Sequence, residues 1–188
     1  MNTAACDDYR IRAIRTDEWP TVKQLCLDSL RDPVADIAFL TTYEQAVAEP
    51  DSFWQERAAG AAEGSGTARQ VIAEAPDGTW AGTVTVLLEE AGEKDWAGYP
   101  VERRQAHVVG VFVRPEHRGN GLVKRLVDAG VAWAWEQRAE RVRLFVHEEN
   151  ARAQAAYRKI GFRPSGRVVS FTKNAAENEL EFVLEPPA

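Results

Sequence analysis

The chain has 188 residues, 45% hydrophobic and 28% charged, with 23 basic and 29 acidic side chains for a net charge of −6. That length suits one domain, residues 1–188, with a core large enough to need neither disulfide nor metal. No apolar run approaches the ~20 residues of a membrane span, and MNTAACDDYR lacks the basic-then-apolar start of a secretory leader. The two cysteines, Cys6 and Cys26, are too few for a disulfide framework and wrongly spaced for zinc. A cytoplasmic setting is expected, and neither a nucleic acid nor a membrane is an expected partner.

The elements are read in chain order. Residues 9–15 predict a short strand. A helix follows from Thr16 or Asp17 as cap, with Pro20 in its first turn and Val22, Leu25, Cys26 and Leu30 on its apolar face. Asp32-Pro33 ends it, and residues 33–43 read as a loop with an apolar patch at Ile37, Phe39 and Leu40. A second helix is expected from Thr42 to Ala59, with Asp51 able to recap it after Pro50. Gln70–Ala75 and Trp80–Leu88 predict a hairpin around Pro76-Asp77-Gly78.

Residues 89–104 are polar and irregular and read as a surface loop over a site. Ala106–Val113 is an apolar strand interrupted by Gly110, which signals a bulge or a close backbone approach. Alternation puts His107 on one face with Val109 and Val111. A helix from Leu122 to Gln137, a strand at 141–146, a helix from Asn150 to Ile160 and strands at 162–171 and 179–184 complete the pattern. The expected fold is α+β, a mixed and mostly antiparallel sheet of about seven strands flanked by four helices.

Charge is uneven. Residues 101–170 carry 14 Lys/Arg against 7 Asp/Glu, and all three histidines, His107, His117 and His147. Within that block the chain runs Val113-Arg114-Pro115-Glu116-His117-Arg118-Gly119-Asn120-Gly121-Leu122, an apolar strand passing through a Gly-rich turn into a helix. Such a turn can aim successive N–H groups at an anion, with Arg118 adding charge, or it can be an ordinary helix entry. It is neither a P-loop, which needs G-x-x-x-x-G-K-[ST], nor a dinucleotide fingerprint, since Lys124 stands at the third glycine.

About thirty residues later comes Asn150-Ala151-Arg152-Ala153-Gln154-Ala155-Ala156-Tyr157-Arg158-Lys159-Ile160-Gly161-Phe162. The first stretch resembles signature A of the GNAT superfamily of acyl-CoA-dependent N-acetyltransferases, V-x-P-E-x-R-G-x-G-[IL]. The second resembles its signature B, N-x-x-A-x-x-x-Y-x-K-x-G-F. The two occur in the family's order and spacing, and the element order matches over nearly the whole chain.

The resemblance implies acetyl-CoA as cosubstrate, an amine acceptor, no metal, direct transfer in a ternary complex, and room for a homodimer. It implies that backbone amides from Arg118 through Gly119, Asn120, Gly121 and Leu122 to Val123 hold the pyrophosphate. It implies that Val111, Phe112 and Val113 pair with the pantetheine arm, that Asn150 contacts that arm, and that Tyr157 is the general acid. Val123 departs from the Gly or Ala common there, and Glu116 from the Q/R of the looser pattern. His107 matches a place where several members carry a glutamate base; the other reading is a solvent-exposed histidine at the strand end. His147 and Glu148 are weaker base candidates. Phe39, Tyr43 and Glu44 fall in a stretch similar to the one bordering the acceptor pocket, although Thr41 or Thr42 and Glu44 are also plain helix-capping chemistry. The acceptor is expected to be a small molecule; the alternatives are a peptide or protein amine, or a non-catalytic acyl-CoA-binding module.

Overall fold

The computed structural model describes residues 8–187; Cys6 lies outside them. Seven strands form one sheet: β1 (Arg10–Ala13), β2 (Ala68–Glu74), β3 (Trp80–Glu89), β4 (Gln105–Val113), β5 (Val142–His147), β6 (Arg163–Phe171) and β7 (Asn174–Leu184). Their order is β1-β2-β3-β4-β5-β7-β6. Only β4 and β5 are parallel neighbours; the remaining pairs are antiparallel.

Six helices are present among the described residues, not four: α1 (Trp19–Ser29), α2 (Ala35–Ala38), α3 (Tyr43–Ala48), α4 (Asp51–Ala61), α5 (Leu122–Glu136) and α6 (Ala151–Ile160). The expected helix from Thr42 to Ala59 breaks at Glu49-Pro50. Proline disfavours helical geometry in the residue before it, and Glu49 is extended at ψ 134°. Asp51 is then the first helical residue and not a cap; its carboxylate pairs with Lys23 at 2.8 Å. The extra helix, α2, is a single turn within the expected loop. Neither Thr16 nor Asp17 caps α1. A 3-10 turn over Thr16–Glu18 precedes it, and Glu18 accepts the Arg15 N–H at 2.8 Å. Thr42 does cap α3, through a capping box with Gln45.

The sheet separates two cores. On one face α5 sets Leu122, Leu126, Val127, Val131 and Trp133 against Val84, Val86, Val108 and Leu144, with Tyr157 of α6 at the edge. On the other, α1 and α4 pack Val22, Leu25 and Trp54 on Ile14, Ile72 and Phe112, and Cys26 is plain packing at its margin. No helix among the described residues is long and apolar enough to cross a membrane.

Two irregularities shape the site. Gly110 has φ +61°, and Gly110 and Val111 together oppose Val84, because Val109 pairs with Thr85 and Phe112 with Thr83. This bulge switches the side-chain alternation. His107 and Val109 therefore share a face with Phe112, while Val111 turns to the α5 side, contrary to the simple alternation expected. Second, β4 and β5 pair only at Ala106–Val142 and His107–Arg143, then diverge.

Candidate active site

The divergence leaves a wedge. Val109 to Val113 form one wall and Val146 and His147 the other, and α6 closes the back with Asn150, Ala153, Ala156 and Tyr157. Beyond His107 no ladder joins β4 to β5, so the inner edge of β4 offers unpaired backbone groups. Buried peptide groups need partners, and an extended chain carrying amides can supply them as an added strand would.

The wedge leads to the Gly-rich turn. Gly119 and Gly121 have φ +83° and +84°, a conformation that side chains resist, and Gly121 is the N-cap of α5. Among the described residues the N–H groups of Gly119, Asn120, Gly121, Val123 and Lys124 have no hydrogen-bond acceptor, while Leu122 N–H reaches Asn120 Oδ1 at 3.4 Å. Free N–H groups at the start of a fifteen-residue helix form an anion cradle. Val123 lines the wedge with its N–H still available. Leu122 offers no side chain; it is core.

The expected fixed charge of Arg118 is largely spoken for. Its guanidinium ion-pairs with Asp32 and donates to Val113 O at 2.8 Å. Burial pushes the Asp32 carboxyl up, but the contacts from Arg118 and Val34 N–H outweigh it and hold it low. This pair ties the segment after α1 across the wedge, so Asp32 and Val34 join Ile37 and Phe39 of the expected apolar patch in one wall. Arg152 remains as an exposed cation at the rim. His117 is bound to Tyr9, its Nδ1 2.7 Å from the Tyr9 hydroxyl.

Tyr157 lines the wedge from α6 and is 9% exposed. Burial pushes its pKa up to about 12. Its hydroxyl has no hydrogen-bond partner among the described residues. Asn150 caps α6 through Oδ1, which accepts Ala153 N–H at 3.1 Å. Its amide nitrogen is left over for a ligand.

His107 is not the exposed strand-end residue of the alternative reading; it is 6% exposed. Its Nδ1 lies 3.3 Å from Glu89, and its ring meets Phe145 edge-on. Burial raises the Glu89 pKa, but hydrogen bonds from His107 and Arg143 prevail and hold it at about 2. His107 does not line the wedge; it stands where β4 and β5 begin to part. The 89–104 loop covers this end and not the wedge. Asp95 anchors it under Arg143 at 3.2 Å, and Trp96 packs on Phe145.

Of the three acceptor-side residues, Phe39 lines the wedge and Tyr43 and Glu44 do not. Tyr43 stacks under Arg31, 4.4 Å from its ring centroid, and Glu44 is exposed in the first turn of α3. His147, weakly indicated by sequence, is fully buried and lines the wedge. Its Nδ1 accepts Glu149 N–H at 3.2 Å and its Nε2 faces Glu177 at 2.9 Å. The position following a strand was the only signal for it. Among the described residues, no group of three or more His, Cys, Asp or Glu side chains is placed to hold a metal.

A splayed parallel pair opening onto a glycine turn with free amides, backed by a buried tyrosine, defines a protein built to hold a thin, anion-tipped ligand. Residues 22–162 match the model of the acetyltransferase (GNAT) family, and the chain belongs to that family. It is 36% identical over 91 residues to mycothiol acetyltransferase of Saccharomonospora viridis, covering 48% of this chain and 28% of that one. It is 28% identical over 96 residues to a Bacillus subtilis protein provisionally named as the alanine N-acetyltransferase of ribosomal protein bS18, covering 50% of this chain and 64% of that one. The matches thus span under two thirds of either relative. The fold is shared with spermidine N-acetyltransferase from Vibrio cholerae, solved with CoA and spermine, at TM-score 0.63 and 15% identity over 95% of this chain and 96% of that one.

Proposed function

We propose that this protein transfers an acetyl group from acetyl-CoA to a primary amine of a small molecule, by direct attack in a ternary complex. The observation that carries the reading is the continuity of the wedge: an unpaired β4 edge runs from the Gly110 bulge to five free N–H groups at the head of α5. That track suits a pantetheine arm ending in a pyrophosphate. Bound acetyl-CoA supplies an activated thioester.

The chain's own groups supply the rest. The backbone of Val111 to Val113 pairs with the arm, except at Val113 O, which Arg118 occupies. The free amides of Gly119, Asn120, Gly121 and Val123 hold the pyrophosphate, the Arg118 N–H being already given to Pro115 O, and Asn150 Nδ2 reaches the arm from α6. A backbone N–H at the bulge stabilises the oxyanion, a contribution of about 3 kcal/mol for one well-placed donor. Tyr157, kept protonated by burial, gives its proton to the departing sulfur. His107, oriented by Glu89 and set back from the wedge, takes the proton of the attacking amine through water, not by direct contact. Phe39 contributes an acceptor-side wall. Wedge and acceptor face are bounded by the segment from Asp32 to Phe39, which Arg118 and Lys173 fasten down. That enclosure favours a small acceptor over a protein surface.

Calorimetric titration with CoA, followed by thiol release from acetyl-CoA across a panel of alkylamines, polyamines, aminoglycosides, amino acids and N-terminal peptides, tests the reading. Micromolar CoA binding with thiol release driven by a small amine is the expected result. Binding without release on any amine identifies a non-catalytic CoA-binding module, and release on peptides alone moves the acceptor to proteins.

A further inference from the structure

The α1 face of the sheet presents a polar strip across β4, β5 and β7. Leu144, Val146, Leu180 and Phe182 enter the α5-side core, so Arg143, Phe145, His147, Glu179 and Glu181 point the other way. Nearly every acid on the strip is committed. Glu89, Asp95 and Glu181 hold Arg143 at 2.7, 3.2 and 3.3 Å. Arg167 of β6 is shared between Asp95 and Glu181, and Glu177 is bound to His147.

Glu179 is the exception. It is 8% exposed, and its Oε2 is the only buried carboxylate oxygen among the described residues with no hydrogen-bond partner. Native interiors rarely leave such an atom unmatched, because it forfeits its hydration for nothing. Burial pushes its carboxyl pKa up, and His147 only partly opposes this. Glu179 is the register partner of His147, a residue of the wedge wall, so the unmatched oxygen sits one strand from the proposed acyl site. Phe171, edge-on to His147 at 4.8 Å, and Phe145 supply apolar surface beside it.

We propose that Glu179 receives a cationic group of the acceptor that stays charged during the reaction, so that the acceptor is a diamine or an amine carrying a second cation. The proposal rests on the acetyl-transfer reading above. A carboxylate in contact with the reacting nitrogen would stabilise its ammonium form and oppose attack. A carboxylate in contact with a second cation fixes orientation without that cost. The layout allows both: the bulge stands three residues past His107 on β4 and His147 four past Arg143 on the parallel β5, so the bulge and Glu179 lie nearly level, about 10 Å apart across two strand spacings. A short aliphatic chain spanning β5 can join a reacting amine in the wedge beside the bulge to a cation at Glu179.

The test compares 1,4-diaminobutane and spermidine with n-butylamine, for the wild type and for E179Q and E179D. In the wild type, kcat/KM for the diamines should exceed that for butylamine at least tenfold. With CoA present, 1,4-diaminobutane should raise Tm. In E179Q the preference and the Tm rise should both vanish, with CoA affinity within twofold; E179D should restore part of each. The charged groups around Glu179 are His147 of β5, Arg167 of β6, and Glu177 and Glu181 of its own strand. Removing an unmatched buried charge should leave the Tm of E179Q unchanged or raised at pH 7.5, the gap narrowing as pH falls and the wild-type carboxyl protonates. A lowered Tm with loss of CoA binding in both variants assigns Glu179 to structure and overturns the proposal. So does a wild type that turns over butylamine as well as diamines, which leaves acetyl transfer standing. A diamine-induced Tm rise lost in E179Q, but with no thiol release from the wild type, upholds the cation site and sinks acetyl transfer instead.

Discussion

His107 Nδ1 on β4 lies 3.3 Å from the Glu89 carboxylate on β3, at the last rung where β4 still pairs with β5. The pair joins a titratable ring to a carboxylate that stays ionised throughout the useful pH range, because Glu89 is held at about 2. An acid limb in the pH–rate profile therefore does not come from Glu89. His107→Ala should remove that limb from kcat/KM. Glu89→Gln should lower kcat/KM, since the ring loses the carboxylate that orients it. A profile unchanged in both variants would dismiss His107 as the base.

The same carboxylate links stability to acid. The Glu89 pKa is depressed in the fold, so its contribution is complete above the ordinary carboxylate range near 4.5. It is lost as pH falls toward about 2. Urea melts of the wild type should show a declining midpoint across that window, and Glu89→Gln should show a shallower decline.

Arg143 is fully buried, with Glu89, Asp95 and Glu181 around it. Replacing it with Met removes the partner that three carboxylates share, although each keeps a second contact, through His107, Arg167 or Arg141. Breaking a buried pair typically costs about 3–5 kcal/mol, and denaturant unfolding should report a loss toward the lower end of that range. Limited proteolysis should begin to cut within residues 89–104, whose Asp95 anchor is left to Arg167 alone.

Tyr157 is kept protonated by burial at about 12. Tyr157→Phe should lower kcat by about 100-fold, the usual scale for losing a general acid. CoA affinity should stay within twofold. Wild-type activity should show no alkaline limb from this residue below pH 10. An unaltered kcat in the variant removes Tyr157 as the acid.

Gly121 has φ +84° at the head of α5. Gly121→Ala carries a left-handed backbone penalty of about 1–2 kcal/mol and adds no charge. Gly121→Asp adds a carboxylate to the anion cradle. Calorimetry should therefore find CoA binding weakened at least tenfold more in the Asp variant than in the Ala variant. Equal affinities would place the pyrophosphate elsewhere.

Much of the molecule was written locally. Strand alternation in β2 and β3, the apolar face of α5, the Asn150 cap and the glycine turn each depend on residues within a few positions of one another. Local steric and hydrogen-bonding rules are enough to read them. The same holds for the two signature stretches, which carried the family. Where local rules competed, reading failed: Pro50 broke a periodic helix, and the two-for-one bulge at Gly110 turned Val111 to the opposite face.

The remainder was decided by contacts between residues far apart in sequence. Asp32 and Arg118 are 86 positions apart, and nothing near either one signals that Arg118 spends its charge closing the wedge. His147 reads only as a residue following a strand, and Glu179 carries no signal beyond starting one, until β7 inserts beside β5 and buries both. Burial, and with it the cost of an unmatched carboxylate, belongs to the assembled sheet and to no segment of it. Sequence alone carried the family and marked the residues proposed for acyl transfer. Only the tertiary structure decided which of their polar atoms are already satisfied and which still face a ligand.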